Sequence, residues 1–360
     1  MSTPIRLTLI LSEFVEAYRA GLQDGRQETQ LDDPQGTARS SSMAMPALEL
    51  MLGRGVVTRR AEWASHRALG PLQQHILEVA GLQTDDVRYA SAPLCWLGQT
   101  GERLEGTLLH AQLVHFATGV SDVALRGVPG TAAPEIDELM QSLVPLVGNA
   151  GVQLRRALSG AWYLQAERVL DLATCEPRYA RANGLYNSMP TGEDARALRL
   201  LMSELQMALH EHPANRARER QGVASLNAVW FWGGGALRSD AVACTLPRVF
   251  SDEAYVKGLW RVCGSSAQSL PQSATQLLAS LAASTVVVPG PLDVAATERG
   301  WLAPAIHALK ARRLDELVVR FDEWALSLTR AQVRRFWKPS RPLATLDDVF
   351  NNNDNNDPVP

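Results

Sequence analysis

Several sequence features that would indicate a class of protein are missing from this chain of 360 residues. Its four cysteines (Cys95, Cys175, Cys244 and Cys263) lie far apart, and no two of them form a C-x-x-C pair. Neither a zinc site nor a thioredoxin-like motif is therefore predicted. Four scattered thiols are typical of a reducing compartment, and we expect a cytoplasmic protein.

Long apolar runs and an excess of positive charge are also missing. No segment approaches the ~20 apolar residues of a membrane helix, so no membrane partner is expected. The formal net charge is −3, which gives no overall basic field for polyanions. The hydrophobic content of 46% is enough for a large core.

The pattern of apolar residues predicts an α/β protein. Residues 5–11 alternate as a buried first strand, and residues 192–210 repeat apolar residues at helical spacing. Cys95–Leu97 is a further strand candidate, and two late strands are predicted around Asp322 and Glu323. We expect a mixed, mostly parallel sheet flanked by helices.

A single large domain over residues 1–350 is predicted, with a candidate insertion at about 87–185. Residues 22–42 are rich in Gln, Asp, Gly and Ser and indicate a long loop. Residues 351–360 are almost all Asn, Asp and Pro, so they have too little apolar surface to fold and are expected to be disordered.

The most distinctive stretch is a predicted strand that runs into three glycines, Gly233, Gly234 and Gly235. Such glycines allow backbone N–H groups to approach an anion. The Walker lysine is absent, and the spacing is not G-x-G-x-x-G. The alternative is a tight turn beneath packed tryptophans, because glycine is common wherever backbones turn sharply or approach closely.

A polar-rich stretch precedes this strand and supplies the other candidate ligand residues: His210, His212, Asn215, Arg218 and Asn227. No catalytic residue is assigned. A metal site is not predicted at the two histidines, because positions i and i+2 of a helix point to different faces and no third ligand has metal-site spacing. His110 and His115, in a predicted turn, have no partner at triad spacing.

A basic cluster near the C-terminus surrounds Phe336 and Trp337 and contains Arg330, Arg334, Arg335, Lys338 and Arg341. Basic residues interleaved with aromatic ones are typical of sites for nucleic acid or for an acidic partner. Phosphate backbones normally need a broader basic surface, so nucleic acid is not the expected partner.

Residues 185–235 resemble the bacterial RpfE-type regulatory proteins, a family described as phosphoglycerate mutase-like. The resemblance rests on Met189–Ala195, Ser203–His210 and Leu226–Gly235, with supporting stretches over nearly the whole chain except its tail. A more distant resemblance is to cofactor-independent phosphoglycerate mutases of the alkaline phosphatase superfamily. It implies a degenerate version of that fold.

The more distant resemblance also implies two metals, held by Asp and His at strand ends, and a Ser or Thr nucleophile. The first strand ends at Ser12-Glu13 where the family has Asp-Gly, and Asp293 is the only carboxylate close after the late strand 286–288. Ser41 or Ser42 would take the nucleophile's place. The resemblance with these departures predicts no metal or other cofactor.

Three functions follow from these observations. The leading one is a non-catalytic regulatory protein that binds a protein partner or a small anionic ligand. The alternative is a mutase-like or phosphatase-like enzyme for phosphorylated small molecules, using Glu204, His210, Arg218 and Arg238. The third is an assembly protein whose tryptophans form an interface.

Overall fold

The computed structural model describes residues 4–15, 17–18, 45–60, 68–83, 89–118, 123–126, 133–237, 246–279, 281, 283–290 and 293–341. The predicted loop at 22–42, the serines Ser41 and Ser42, Arg238 and the tail at 351–360 lie outside these residues. The described strands are β1 (Arg6–Leu11), β2 (Val56–Arg59), β3 (Thr107–Thr118), β4 (Val123–Arg126), β5 (Gln153–Arg156), β6 (Trp162–Ala166), β7 (Ala228–Gly235), β8 (Arg248–Ser251), β9 (Ser284–Val288), β10 (Glu316–Phe321) and β11 (Trp324–Thr329).

The described helices are mostly short, and several begin with proline at the first helical position, where no intrahelical N–H bond is lost. They are α1 (Pro46–Arg54), α2 (Pro71–Val79), α3 (Ser91–Thr100), α4 (Ala133–Ser142), α5 (Val144–Asn149), α6 (Pro177–Asn183), α7 (Leu185–Ser188), α8 (Ala195–Glu211), α9 (Pro213–Arg220), α10 (Ala254–Val262), α11 (Ala274–Leu277), α12 (Val294–Thr297), a π-helix (Glu298–Leu302), α13 (Ala303–Lys310) and α14 (Arg330–Val333). None of the described helices is long and apolar enough to cross a membrane.

The chain divides into two compact units. The first contains residues 1–60, 247–252 and 267–360, and the second contains residues 61–246 and 253–266. The candidate insertion at about 87–185 falls inside the second unit. The prediction of a single domain stays a prediction.

The first unit is built on a six-stranded sheet in the order β2-β11-β10-β1-β9-β8. β1 lies at its centre and pairs in parallel with β10 and β9, so that Leu9 is opposite Val319 on one side and Val287 on the other. These side chains are buried in one core. Strands with nearly continuous apolar residues are typical of parallel strands at the centre of a sheet whose two faces are both covered.

The second unit contains a sheet in which all the described pairs are antiparallel. Its order is β4-β3-β6-β5, and β7 also pairs with β3. Its core includes Leu205, Leu209 and Trp230. The predicted α/β class with mixed sheets flanked by helices is confirmed, and the antiparallel second sheet adds to it.

Two local predictions are wrong. Cys95–Leu97 was predicted as a strand and lies in helix α3. His110 and His115 were predicted in a turn and lie within the twelve-residue strand β3. Short apolar runs do not distinguish a strand from a buried helix, because only the packing partner decides between them.

Candidate functional site

Two of the predicted ligand residues lie where α8 ends and α9 begins. α8 buries Leu205 and Leu209 on one face, which leaves His210 exposed in its last turn. His212 is the N-cap of α9, and its Nδ1 accepts a hydrogen bond from the Ala214 N–H at 3.2 Å. This hydrogen bond uses the Nδ1 side of the imidazole ring.

Asn215 is fully buried and is occupied by backbone groups. Its amide NH₂ donates to the carbonyl of Leu209 at 2.8 Å and to that of Leu226 at 3.0 Å. Its Oδ1 accepts the Leu226 N–H at 2.8 Å. These bonds join α9 to the segment before β7. The side chain has a folding role in this structure.

Arg218 and Asn227 are occupied in a similar way. The Arg218 guanidinium donates to the Ala224 carbonyl at 2.8 Å and to Oε1 of Glu135 at 2.7 Å, and the residue is buried. Asn227 accepts the Phe116 N–H at 2.7 Å and donates to the Phe116 carbonyl at 3.1 Å. Its side chain thereby extends the pairing of β7 with β3.

The three glycines lie within strand β7, not in a loop after it. Gly233 has φ +64°, and a Cβ there would lie 3.0 Å from Cβ of Ser91 and from Cδ2 of His110. The Gly234 N–H points to Thr174 Oγ1 at 3.4 Å. The predicted turn is therefore a strand end with a bulge between Leu108 and His110, and glycine is needed because another chain segment approaches it closely.

A hydroxyl–imidazole pair, which the sequence analysis missed, lies beside Gly233. Ser91 Oγ and His110 Nε2 are 3.0 Å apart, and the His110 ring stacks on Trp232 with centroids 4.2 Å apart. Burial lowers the pKa of His110 to about 3 and raises the pKa of the nearby Cys95 thiol to about 12. Ser91 has no exposed surface. An imidazole this weakly basic beside an enclosed hydroxyl is a structural hydrogen bond, not an activated nucleophile.

The strand ends of the first unit do not supply the metal ligands that the resemblance implies. Glu13 follows β1 with φ +54°, and Asp293 caps α12 by accepting the Ala296 N–H. Within the described ranges, no group of three or more His, Cys, Asp or Glu side chains stands close enough to hold a metal ion. The described residues do not fit a two-metal centre, and we derive no reaction step from one.

The exposed face of α9 carries an open groove of about 660 Å³, lined by Pro213, Arg216, Glu219 and Arg220. Arg216 and Arg220 are four residues apart and therefore lie on the same side of the helix. Arg220 Nε donates to the Arg216 carbonyl at 3.2 Å. In the described part of the chain, no carboxylate forms a salt bridge with either guanidinium. We take this groove, called the α9 groove below, as the candidate site.

The predicted residues thus fall into separate places. Asn215 and Arg218 occupy the buried face of the helix whose exposed face lines the α9 groove. The three glycines and Asn227 belong to the two ends of β7. Of the alternative set, Arg218 is occupied by the Ala224 carbonyl and Glu135, Glu204 lies exposed on α8, and Arg238 lies outside the described residues. A charged i, i+4 arginine pair was the signal that could have indicated the groove.

Comparison with known proteins gives short or remote similarity to phosphoglycerate mutases. No family model matches the chain. A 2,3-bisphosphoglycerate-independent phosphoglycerate mutase from Methanothrix thermoacetophila is 34% identical over 64 residues, which are 18% of this chain and 16% of that protein. The chain therefore matches about a sixth of that relative's length.

Two solved structures are similar over most of their length. One is the cofactor-independent phosphoglycerate mutase from Thermoplasma acidophilum, with a TM-score of 0.41 and 12% identity over 95% of this chain and 94% of that one. The other is the PH0037 protein from Pyrococcus horikoshii, with a TM-score of 0.41 and 15% identity over 91% of this chain and 88% of that one.

The curated relative corrects the leading prediction. A non-catalytic regulatory protein was expected, and the protein that matches is described as a mutase, which is an enzyme. The 34% identity to this relative over 64 residues supports the phosphoglycerate mutase-like part of the resemblance. Membership of the RpfE-type family stays a prediction.

Proposed function

We propose that this chain is an enzyme that acts on a phosphorylated small molecule and transfers its phosphoryl group between hydroxyls, as a phosphoglycerate mutase does. The observation that carries the proposal is the 34% identity to a curated phosphoglycerate mutase over 64 residues. Because the described residues form no metal-ligand cluster and Ser91 is enclosed, we propose that they contribute substrate binding and not the phosphoryl transfer itself.

The α9 groove is the proposed phosphate-binding site. Its volume of about 660 Å³ is in the range of small-molecule sites, roughly 300–1,000 Å³. Guanidinium groups bind phosphate oxygens through paired N–H donors, and two of them four residues apart can share one dianionic phosphate.

The buried residues of α9 are proposed to position this site. The amide of Asn215 and the guanidinium of Arg218 fix the helix to the segment before β7 by backbone hydrogen bonds. A helix fixed on its buried face holds the arginines on its exposed face at a constant spacing. The predicted ligand residues would therefore affect binding through helix position and not through contact.

The test measures turnover of phosphoglycerate isomers, with a panel of other phosphomonoesters alongside. Arg216→Ala with Arg220→Ala should raise KM roughly tenfold or more, because two charged contacts to phosphate are lost. Arg196→Ala, an exposed arginine on α8, is the matched control and should leave KM unchanged. Wild type and the double variant should bind an analogue that lacks the phosphate group with equal affinity.

Two outcomes would contradict the proposal at different levels. Absence of turnover of every phosphomonoester, with and without added divalent metals, would reject the enzyme. Turnover with an unchanged KM in the double variant would support the proposed enzyme activity but would contradict the assignment of the α9 groove as its phosphate-binding site.

A further inference from the structure

A pair of aromatic rings stands in solvent just after α14. Phe336 is 82% exposed and Trp337 is 67% exposed, and their centroids lie 5.2 Å apart at an interplanar angle of 85°. The edge-to-face arrangement leaves ring faces pointing in two directions. Apolar rings of this size are normally buried, so adjacent exposed ones indicate a binding surface.

The backbone of this turn is held in place by α1. The guanidinium of Arg54 donates to the Lys338 carbonyl at 3.1 Å and to the Val333 carbonyl at 2.8 Å. The Arg341 N–H donates to the Glu49 carbonyl at 3.0 Å. Because these bonds use backbone groups, the side chains of the turn stay available while their positions are fixed.

Four basic residues flank the two rings in the sequence. Arg334, Lys338 and Arg341 are exposed and Arg335 is partly exposed, and among the described residues none of the four forms a salt bridge. Arg330 differs from them. It donates to the carbonyls of Leu314 and Arg312 and pairs with Asp315, so it has a structural role.

Arg330 connects this cluster to a second basic segment that the sequence analysis did not include. The bond to the Arg312 carbonyl places the end of α13 beside the start of α14. Lys310, Arg312 and Arg313 are all exposed there. Nucleic acid was not expected because a single short cluster is too narrow, and the fold removes that objection by joining two clusters.

We propose that this surface, formed by residues 310–313 and 334–341, binds single-stranded nucleic acid. Phosphates would contact the arginines and lysines, and unpaired bases would stack on Phe336 and Trp337. Five of the seven available cations are arginine, which binds phosphate through paired donors and stacks on bases. A membrane surface is disfavoured because interfacial segments carry a broad aliphatic face, whereas Val333 is buried here. A duplex would hide the base faces that the rings need.

The test uses the full chain and a fluorescein-labelled 20-mer of oligothymidylate, followed by anisotropy over a range of salt concentrations. At roughly 0.7 per phosphate contact, the slope of log K against log salt should be about −5 if all seven cations contact phosphate, and about −3 if only the four in residues 334–341 do. Arg334→Gln with Arg335→Gln should make the slope shallower by about 1.4. Trp337→Ala should weaken binding about fivefold or more and leave the slope unchanged.

Matched controls separate this surface from general electrostatics. Arg196→Gln, an exposed arginine in the other unit and outside the α9 groove, should leave binding and slope unchanged. Phe336 and Trp337 are exposed, so their alanine variants should keep the wild-type melting temperature.

Three results would overturn the proposal. They are no saturable binding of the oligonucleotide at 20 mM salt, equal affinity for a 20-base-pair duplex, and an unchanged affinity in Trp337→Ala. Binding of vesicles made of phosphatidylserine and phosphatidylcholine, without binding of the oligonucleotide, would assign the surface to a membrane instead. None of these results depends on phosphomonoester turnover.

Discussion

Asn215 provides the sharpest test of whether the predicted ligand residues act in folding or in binding. Its side chain is fully buried, and it satisfies both the N–H and the carbonyl of Leu226. The Leu209 carbonyl also accepts the His212 N–H, so it keeps a partner when Asn215 is removed. Asn215→Ala thus leaves two buried backbone groups of Leu226 without a partner.

The expected cost follows from those two groups. Each buried polar group that loses its partner costs about 1–3 kcal/mol, so the loss of two partners in Asn215→Ala should destabilise the second unit by about 2–6 kcal/mol. For a unit of this size, 3 kcal/mol corresponds to a fall in melting temperature of roughly 6–12 °C. Asn183→Ala is the control, since its exposed amide donates only to the Tyr179 carbonyl, and it should cost less than about 1 kcal/mol.

The assay is thermal and urea unfolding of wild type, Asn215→Ala, Asn215→Asp and Asn183→Ala. Asn215→Asp keeps an acceptor for the Leu226 N–H but turns a carboxylate oxygen towards two carbonyl oxygens. We expect it to be at least as unstable as the alanine variant at pH 7 and to recover partly in acid, where a protonated carboxyl can donate. Equal stability of Asn215→Ala and Asn183→Ala would refute this reasoning and return Asn215 to the set of ligand residues.

Three further predictions concern packing and pH. Gly258→Ala should destabilise the chain by about 2 kcal/mol or more in urea unfolding, because its Cβ would lie 1.9 Å from the Leu94 carbonyl oxygen. Gly148→Ala is the control. A Cβ at Gly148 would have no atom within 4 Å, so this variant should be neutral or slightly stabilising. Because the pKa of His110 is lowered to about 3 in the folded chain, the unfolded chain takes up a proton first as pH falls. The free energy of unfolding should therefore decrease between about pH 6.5 and 3. His110→Gln should reduce this dependence of the unfolding free energy on pH. Burial raises the pKa of the Glu298 carboxyl. The stability that this group contributes to the folded state is therefore fully present below about pH 4.5 and is lost as pH rises through the folded pKa. Glu298→Gln should gain stability relative to wild type from pH 4.5 to 7, and parallel curves of unfolding free energy against pH for the two proteins would contradict this.

Long periodic segments were predictable because a repeated pattern outweighs local ambiguity. The apolar residues of α8 recur over almost five turns, and the structure forms the helix from Ala195 to Glu211 where the sequence predicts 192–210. The alternation before Leu11 likewise predicts β1.

Short segments were decided by their packing partners. Cys95 lies in a helix because Gly98 and Gly258 let α3 and α10 approach until a Cβ at Gly98 would meet the Ala254 carbonyl oxygen at 1.9 Å. A glycine on a helix predicts a weak helix by propensity, and only the neighbouring helix shows that it serves close packing.

Local periodicity and composition are enough to predict the α/β class, the central apolar strands and the presence of polar and basic clusters. Which polar side chains remain available depends on contacts between segments that are distant in the sequence. Asn215, Arg218 and Asn227 are consumed by backbone groups that would otherwise be buried without partners. Arg216 and Arg220 lie on the exposed face of the same helix, and among the described residues neither forms a salt bridge with a carboxylate. A side chain's hydrogen-bonding capacity is finite, and its partners come from segments distant in sequence, so the fold and not the pattern selects the residues left to bind a ligand.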